Sequence, residues 1–317
     1  MPRRHDVFRI AGVVLALCMA PGWSQPQTPA QQETENYTIR TTSRLVLLDV
    51  SVKDSQGGFV SGLTRDDFKV YEDGKPQKIS QFANADVPVT VGVIVDESGS
   101  MGPKRREVIL SAIEFIQASN PHDEMFVINF NERARRGLPD IVPFSDNIDQ
   151  LRAALWEGAP EGRTALYDAL EMSLHQLDMG RRDKKALVLI SDGGDNVSKH
   201  NLTEVMNDVL RSEATIYTVG IFDEDDPERN PGVLRQLAHV SGGTASFPRR
   251  LDEILPVCKQ IAKDIRTRYT IGYIPPIEGK PQRHIKVVAS APGHAKLMVR
   301  TRTRYLFAAD NQAAEAK

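Results

Sequence analysis

Cysteine is scarce: the 317 residues contain only two. Cys18 lies in an N-terminal segment that reads as a removable leader, so Cys258 is the single thiol expected in the mature chain. One thiol forms no internal disulfide, and the core must hold without covalent staples. An excess of one charge is also missing. Forty Lys and Arg stand against 42 Asp and Glu, a formal net charge of -2, and no clustered basic face recommends nucleic acid as a partner. The N-terminal apolar run, Ile10 to Ala20, falls short of the about 20 residues a membrane-spanning helix needs. Signatures of common catalysts are absent too: no Gly-x-Ser-x-Gly elbow, phosphate-cradling Walker loop, dinucleotide Gly-x-Gly-x-x-Gly or His-Glu-x-x-His. His122, His175, His200, His239, His284 and His294 are scattered, without close pairing.

What is present begins with Arg3, Arg4 and Arg9 ahead of that apolar run, and Pro21-Gly22 after it. This is the pattern of a secretory signal peptide over residues 1–25, with Gly22-Trp23-Ser24 offering a small-x-small cleavage site. Leu17 stands where a lipoprotein signal needs a small residue, so Cys18 is not read as a lipid anchor. The expected location is secreted or periplasmic, with no transmembrane segment after signal removal. Residues 26–36, rich in Gln, Pro and Thr, read as a flexible leader.

Three folded segments follow. Residues 37–86 carry β signals: a mixed run from Arg44 to Lys53, the turn cluster Asp54 to Gly58, an alternating Phe68 to Glu72, and a strand expected over Gln77 to Ala83. Residues 87–266 change period. Val89 to Val95 and Ala186 to Ile190 are nearly unbroken apolar runs, the mark of strands buried on both faces. Helical patterns alternate with them, and Gly137 to Phe144 is expected to return beside a strand at Met125 to Asn129. This alternation predicts a doubly wound, mostly parallel α/β sheet with helices on both faces. Its last helix carries Leu251, Ile254, Leu255, Cys258, Ile261, Ala262 and Ile265 on one face, which makes Cys258 a small buried hydrophobe. Residues 267–308 return to β, with strands expected at Tyr269 to Ile274, His284 to Ala291 and Lys296 to Phe307. The two flanking β segments are each short of partners, and are expected to pair into one small β-sandwich with the α/β domain inserted between them. Residues 309–317 read as a disordered tail.

Three short pieces fall just past the carboxyl ends of strands or at the entrance to a helix, where ligands collect in open α/β sheets. They are Asp96-Glu97-Ser98-Gly99-Ser100, Gly162-Arg163-Thr164-Ala165 and Ser191-Asp192-Gly193-Gly194-Asp195-Asn196. Asp96, Ser98, Ser100, Thr164 and Asp192 all offer hard oxygen donors, which suit Mg²⁺, Mn²⁺ or Ca²⁺ and do not suit zinc or copper. Each residue alone has a plainer reading, as a helix cap or a turn; the set of five in order does not.

Asp96-x-Ser98-x-Ser100, then Thr164, then Asp192, resembles the metal-ion-dependent adhesion site (MIDAS) of von Willebrand factor type A (VWFA) domains. Upstream, Ser61 to Phe68 and Lys69 to Gly74 resemble bacterial secreted proteins of the VWFA-related kind. The resemblance implies a Rossmann-like VWFA domain that binds rather than turns over. It implies that Ser98, Ser100 and Thr164 hold the metal through their hydroxyls, and that Asp96 and Asp192 act mainly through bound water. One coordination position is left for a protein partner presenting an Asp or Glu. Glu97 and Asp195 are candidates for supporting positions beside the metal. The run Asp223-Glu224-Asp225-Asp226 is a candidate acidic rim on the same face. Two alternatives stand beside this adhesion-type reading: a structural or assembly protein with a degenerate metal site, and a metal-assisted hydrolase.

Overall fold

The computed structural model describes residues 45–222, 229–293 and 296–307. The signal peptide, Cys18, the leader, the tail and the acidic run Asp223, Glu224, Asp225 and Asp226 lie outside the described residues.

The chain opens with four strands: β1 (Val46–Lys53), β2 (Phe68–Glu72), β3 (Lys75–Gln77) and β4 (Ile79–Ala83). It then enters β5 (Val89–Asp96), whose eight residues are all buried. Only a strand covered on both faces tolerates such a run. The α/β unit continues through α1 (Arg105–Ala118), β6 (Glu124–Phe130), β7 (Ala134–Arg136), α2 (Ile148–Trp156), α3 (Leu166–Asp178), β8 (Lys184–Ser191), α4 (Leu202–Arg211), β9 (Thr215–Gly220), α5 (Pro231–Ser241), β10 (Ala245–Ser246) and α6 (Ile254–Arg266). Four strands close the chain: β11 (Tyr269–Tyr273), β12 (Gln282–Ala289), β13 (Met298–Arg300) and β14 (Arg304–Leu306).

The central sheet has the order β10-β9-β8-β5-β6-β7, parallel except for β7. Leu187, Val188, Leu189 and Ile190 of β8 pack with Val91, Val93 and Ile94 of β5 in one core, joined by the apolar faces of the helices. The strand order reverses at β5, which has β8 on one side and β6 on the other. Chain leaving the carboxyl ends there parts in two directions and opens a crevice.

The flanking strands form two antiparallel four-stranded sheets, β13-β1-β11-β4 and β14-β12-β2-β3. β1 pairs with β11, Val46 opposite Tyr273, and β2 pairs with β12, Ile285 opposite Glu72. Chain before the α/β unit therefore completes chain after it. Leu48 and Val50 of one sheet share an apolar core with Phe68, Val70 and Ile285 of the other. The last helix is tied to this sandwich: the Asp264 carboxylate accepts from Ser51 of β1 at 2.5 Å, Tyr217 of β9 at 2.6 Å and Arg268 at 2.9 Å. Burial pushes the Asp264 carboxyl up, but the Arg268 guanidinium and the two hydroxyls outweigh it and hold it below the usual range.

Four local expectations change. The strand returning beside β6 is Ala134–Arg136, continued by the Gly137 N–H bond to the Val127 carbonyl; the rest of Gly137 to Phe144 leaves β6 until Ser145 bridges Met125. Pro139 and Pro143 lack the N–H a ladder needs, and Val142 N–H turns back onto the Pro139 carbonyl. Gln77 to Ala83 divides between β3 and β4, which belong to different sheets. Lys296 to Phe307 likewise divides into β13 and β14, because the chain between them is drawn to α5, where Thr303 N–H donates to the Val240 carbonyl. Leu251 lies in a short 3₁₀ turn and is exposed, whereas Cys258 is fully buried in α6 with its thiol pushed up to about 12 by burial.

Candidate metal centre

Asp96 ends β5, and a 3₁₀ turn at Gly99–Lys104 leads from it into α1, with Ser98 as its first cap. Ser191 ends β8, the neighbouring strand. Register places Val95 opposite Ile190, so the next residues, Asp96 and Ser191, emerge side by side. Thr164 arrives from the connection before α3. Its N–H donates to the Asn196 side chain at 2.9 Å, and its carbonyl accepts from Asn196 N–H at 2.9 Å. On the other flank Gly99 N–H donates to the Gly162 carbonyl at 3.1 Å. Backbone contacts thus hold the Thr164 loop between the other two.

Ser98, Ser100 and Asp192 are linked through their side chains, and Asp96 joins them through the Ser98 amide. Ser100 Oγ donates to Asp192 Oδ2 at 2.6 Å and lies 3.2 Å from Ser98 Oγ. Asp192 Oδ1 accepts from Gly194 N–H at 3.0 Å. Asp96 Oδ1 accepts from Ser98 N–H at 2.9 Å, and Oδ2 accepts from Ser191 Oγ at 2.6 Å. Asp96, Ser98 and Asp192 are each 2% exposed, Thr164 is 5% exposed, and Ser100 is half-buried.

Burial raises the Asp96 carboxyl to about 6, the Asp192 charge adds to this, and the bonds from Ser191 and Ser98 act against it. Among the described residues neither Asp96 nor Asp192 forms an ion pair. Two buried carboxylates without a cation are costly to ionise together, and hard-oxygen donors gathered around them fit a divalent ion of the Mg²⁺ or Ca²⁺ class. Among the described residues no group of three or more His, Cys, Asp or Glu is placed to hold a metal. The donor set here is two carboxylates and three hydroxyls.

The two candidate supporting residues are engaged elsewhere. Glu97 is 1% exposed at its side chain, and its carboxylate is held by Arg105 at 3.1 Å and Arg135 at 3.0 Å. Its charge is compensated inside this clasp. The Arg105 guanidinium also donates to the Trp156 and Gly158 carbonyls, so the clasp fastens the chain that leads to Thr164. Asp195 accepts from Tyr167 N–H at 3.1 Å and from the Ser198 hydroxyl. It satisfies an open donor in the first turn of α3 and bonds to none of the five donors. Sequence reasoning passed over Ser191 and Asn196, which touch Asp96 and Thr164 directly. Both stand in the Ser191-to-Asn196 string, but nothing in that string tells which side chain turns toward β5 or α3.

Residues 91–194 match the family model for the von Willebrand factor type A domain, a stretch that contains all five donors. An uncharacterized protein of Synechocystis sp. is 25% identical over 227 residues, 67% of this chain and 51% of that protein. The chain thus spans about half the length of the curated relative it matches. Among solved structures, a von Willebrand factor type A protein from Catenulispora acidiphila is similar with a TM-score of 0.51 and 16% identity, over 78% of this chain and 75% of that one. At that identity the likeness is one of fold. Proximal thread matrix protein 1 from the mussel byssus, solved with a zinc-occupied MIDAS motif, has a TM-score of 0.45 and 16% identity, over 56% of this chain and 48% of that one. The α/β unit thus has the von Willebrand factor type A fold, and the stretch that matches the family model is about a third of the chain.

Proposed function

We propose that this protein is an exported, metal-dependent binding module that captures an acidic group on a protein partner. The observation that carries the reading is the line Ser98–Ser100–Asp192, in which Ser98 Oγ contacts Ser100 Oγ and Ser100 Oγ donates to Asp192, beside a second buried carboxylate, Asp96, with no ion pair at either carboxylate among the described residues. Ser98, Ser100, Thr164, Asp96 and Asp192 would hold Mg²⁺, or Mn²⁺ or Ca²⁺ in its place. The bound cation supplies a hard positive centre whose shell an Asp or Glu of the partner completes. The clasp of Glu97, Arg105 and Arg135 keeps the Thr164 loop in position, and contacts around the crevice supply specificity. The reading is of binding without turnover. Ser100 Oγ is bound to the Asp192 carboxylate and Ser98 Oγ lies against Ser100 Oγ, an arrangement that suits both as metal donors. The apolar run and the basic residues at the N-terminus support export.

Thermal unfolding with Mg²⁺, Mn²⁺, Ca²⁺ or chelator tests the metal. An ion at a hundredfold its Kd stabilises the native state by about 2.7 kcal/mol, and Thr164→Ala should lose most of that rise while unfolding like the wild type in chelator. No rise with any of the three ions at millimolar concentration would exclude the metal reading and leave the structural or assembly alternative.

A further inference from the structure

Ser191 ends β8 and is fully buried. Its hydroxyl is the middle of a relay: Gly193 N–H donates to Oγ at 2.9 Å, and Oγ donates to Asp96 Oδ2 at 2.6 Å. Gly193 has a left-handed φ of 79°, and a Cβ there would lie 2.5 Å from the Asn230 carbonyl oxygen. The sharp Ser191-Asp192-Gly193 turn is thus built for glycine, and it brings the amide back onto the serine. With the amide donating to Oγ, the single hydroxyl proton is directed to Asp96. The other carboxylate oxygen is fixed by Ser98 N–H. Both oxygens of Asp96 are thus held by directed donors. Adjacent residues divide the work at this strand end: Ser191 holds Asp96, while Asp192 receives Ser100.

We infer that Ser191 is a positioning residue for the divalent cation: it does not ligate the ion but sets the rotamer of Asp96, so that this carboxylate meets the metal's water shell already oriented. The inference rests on the metal reading above. Partners that orient a metal's ligands typically contribute tenfold to a hundredfold in affinity. Alanine at this position frees one Asp96 oxygen to rotate and leaves Gly193 N–H without its acceptor.

The test is calorimetric titration of the purified chain with Mn²⁺ and Mg²⁺, for wild type, Ser191→Ala and Ser191→Thr, with chelator-treated samples unfolded in urea alongside. The expected result is a loss of affinity of about tenfold to a hundredfold in Ser191→Ala, with recovery in Ser191→Thr, which restores the hydroxyl. The loss of affinity should exceed any change in metal-free stability. Binding by Ser191→Ala equal to wild type overturns the inference and leaves the metal reading standing. A threonine variant that is folded yet binds as weakly as alanine also overturns it. No binding by the wild type sinks both.

Discussion

Inside the β-sandwich, Glu72 is 3% exposed and accepts from Tyr273 at 2.6 Å, Tyr305 at 2.7 Å and Arg283 at 2.7 Å. At the carboxyl edge of the central sheet Asp96 and Asp192 are buried as deeply, yet only hydroxyls and amides reach them among the described residues. The difference lies in the countercharge. Arg283 is itself 1% exposed at its side chain and is bound further by the Pro276 and Lys280 carbonyls, so the chain supplies every partner that Glu72 needs. Burial, with Glu72 adding to it, pushes the Tyr273 and Tyr305 hydroxyls up, which keeps them protonated donors. A buried charge that the fold neutralises builds structure. The Asp96–Asp192 pair, which meets only neutral donors among the described residues, lacks that compensation.

The largest effect expected from breaking this contrast is in the sandwich. Arg283→Met leaves Glu72 buried without its cation and should cost about 3–5 kcal/mol. Urea unfolding would show it in chelator and in Mg²⁺ alike. A loss under about 1 kcal/mol would place the pair among surface-like ion pairs instead.

The metal centre should respond to pH with the opposite dependence on the ion. The folded-state value of Asp96, about 6, is above its unfolded value of 3.8, so the native state holds the proton more tightly. That contribution is complete below the unfolded value and is lost as pH rises through about 6, a change on the order of 3 kcal/mol. Asp123, also raised to about 6 by burial, acts with the same sign, so the informative quantity is the difference between wild type and Asp96→Asn. In chelator the variant should gain stability relative to wild type as pH rises through this window, read as urea midpoints at several pH values. Saturating Mg²⁺ should reverse the order above the window. Parallel pH profiles in chelator would show that Asp96 ionises in the fold as readily as in water.

Asp195→Ala should have the smallest effect. It removes an acceptor at the start of α3 and should cost about 1 kcal/mol, with metal affinity unchanged. A tenfold fall in that affinity would return Asp195 to the metal centre.

Much of this was legible in the residues. Val89 to Val95 and Ala186 to Ile190 announce buried parallel strands by their unbroken apolar character, and Asp96, Ser98, Ser100, Thr164 and Asp192 stand out by chemistry and order. Cys258 falls on the apolar face that its spacing defines. The errors share a cause. Lys296 to Phe307 and Gln77 to Ala83 have continuous strand character, and nothing local shows that each changes sheets midway. The partners of Glu97 are just as hidden in the sequence: Arg135, 38 residues on, is brought to it only when β7 folds back on β6.

The sequence by itself determined the period of each element and the donors at its end, because those depend on neighbours a few residues apart. Only the tertiary structure decided which buried carboxylate receives a countercharge: Glu72 finds Arg283 at a separation of 211 residues, while Asp96 finds the Ser191 hydroxyl at 95. Those pairings follow from strand register, since a shift of one residue turns each side chain to the opposite face.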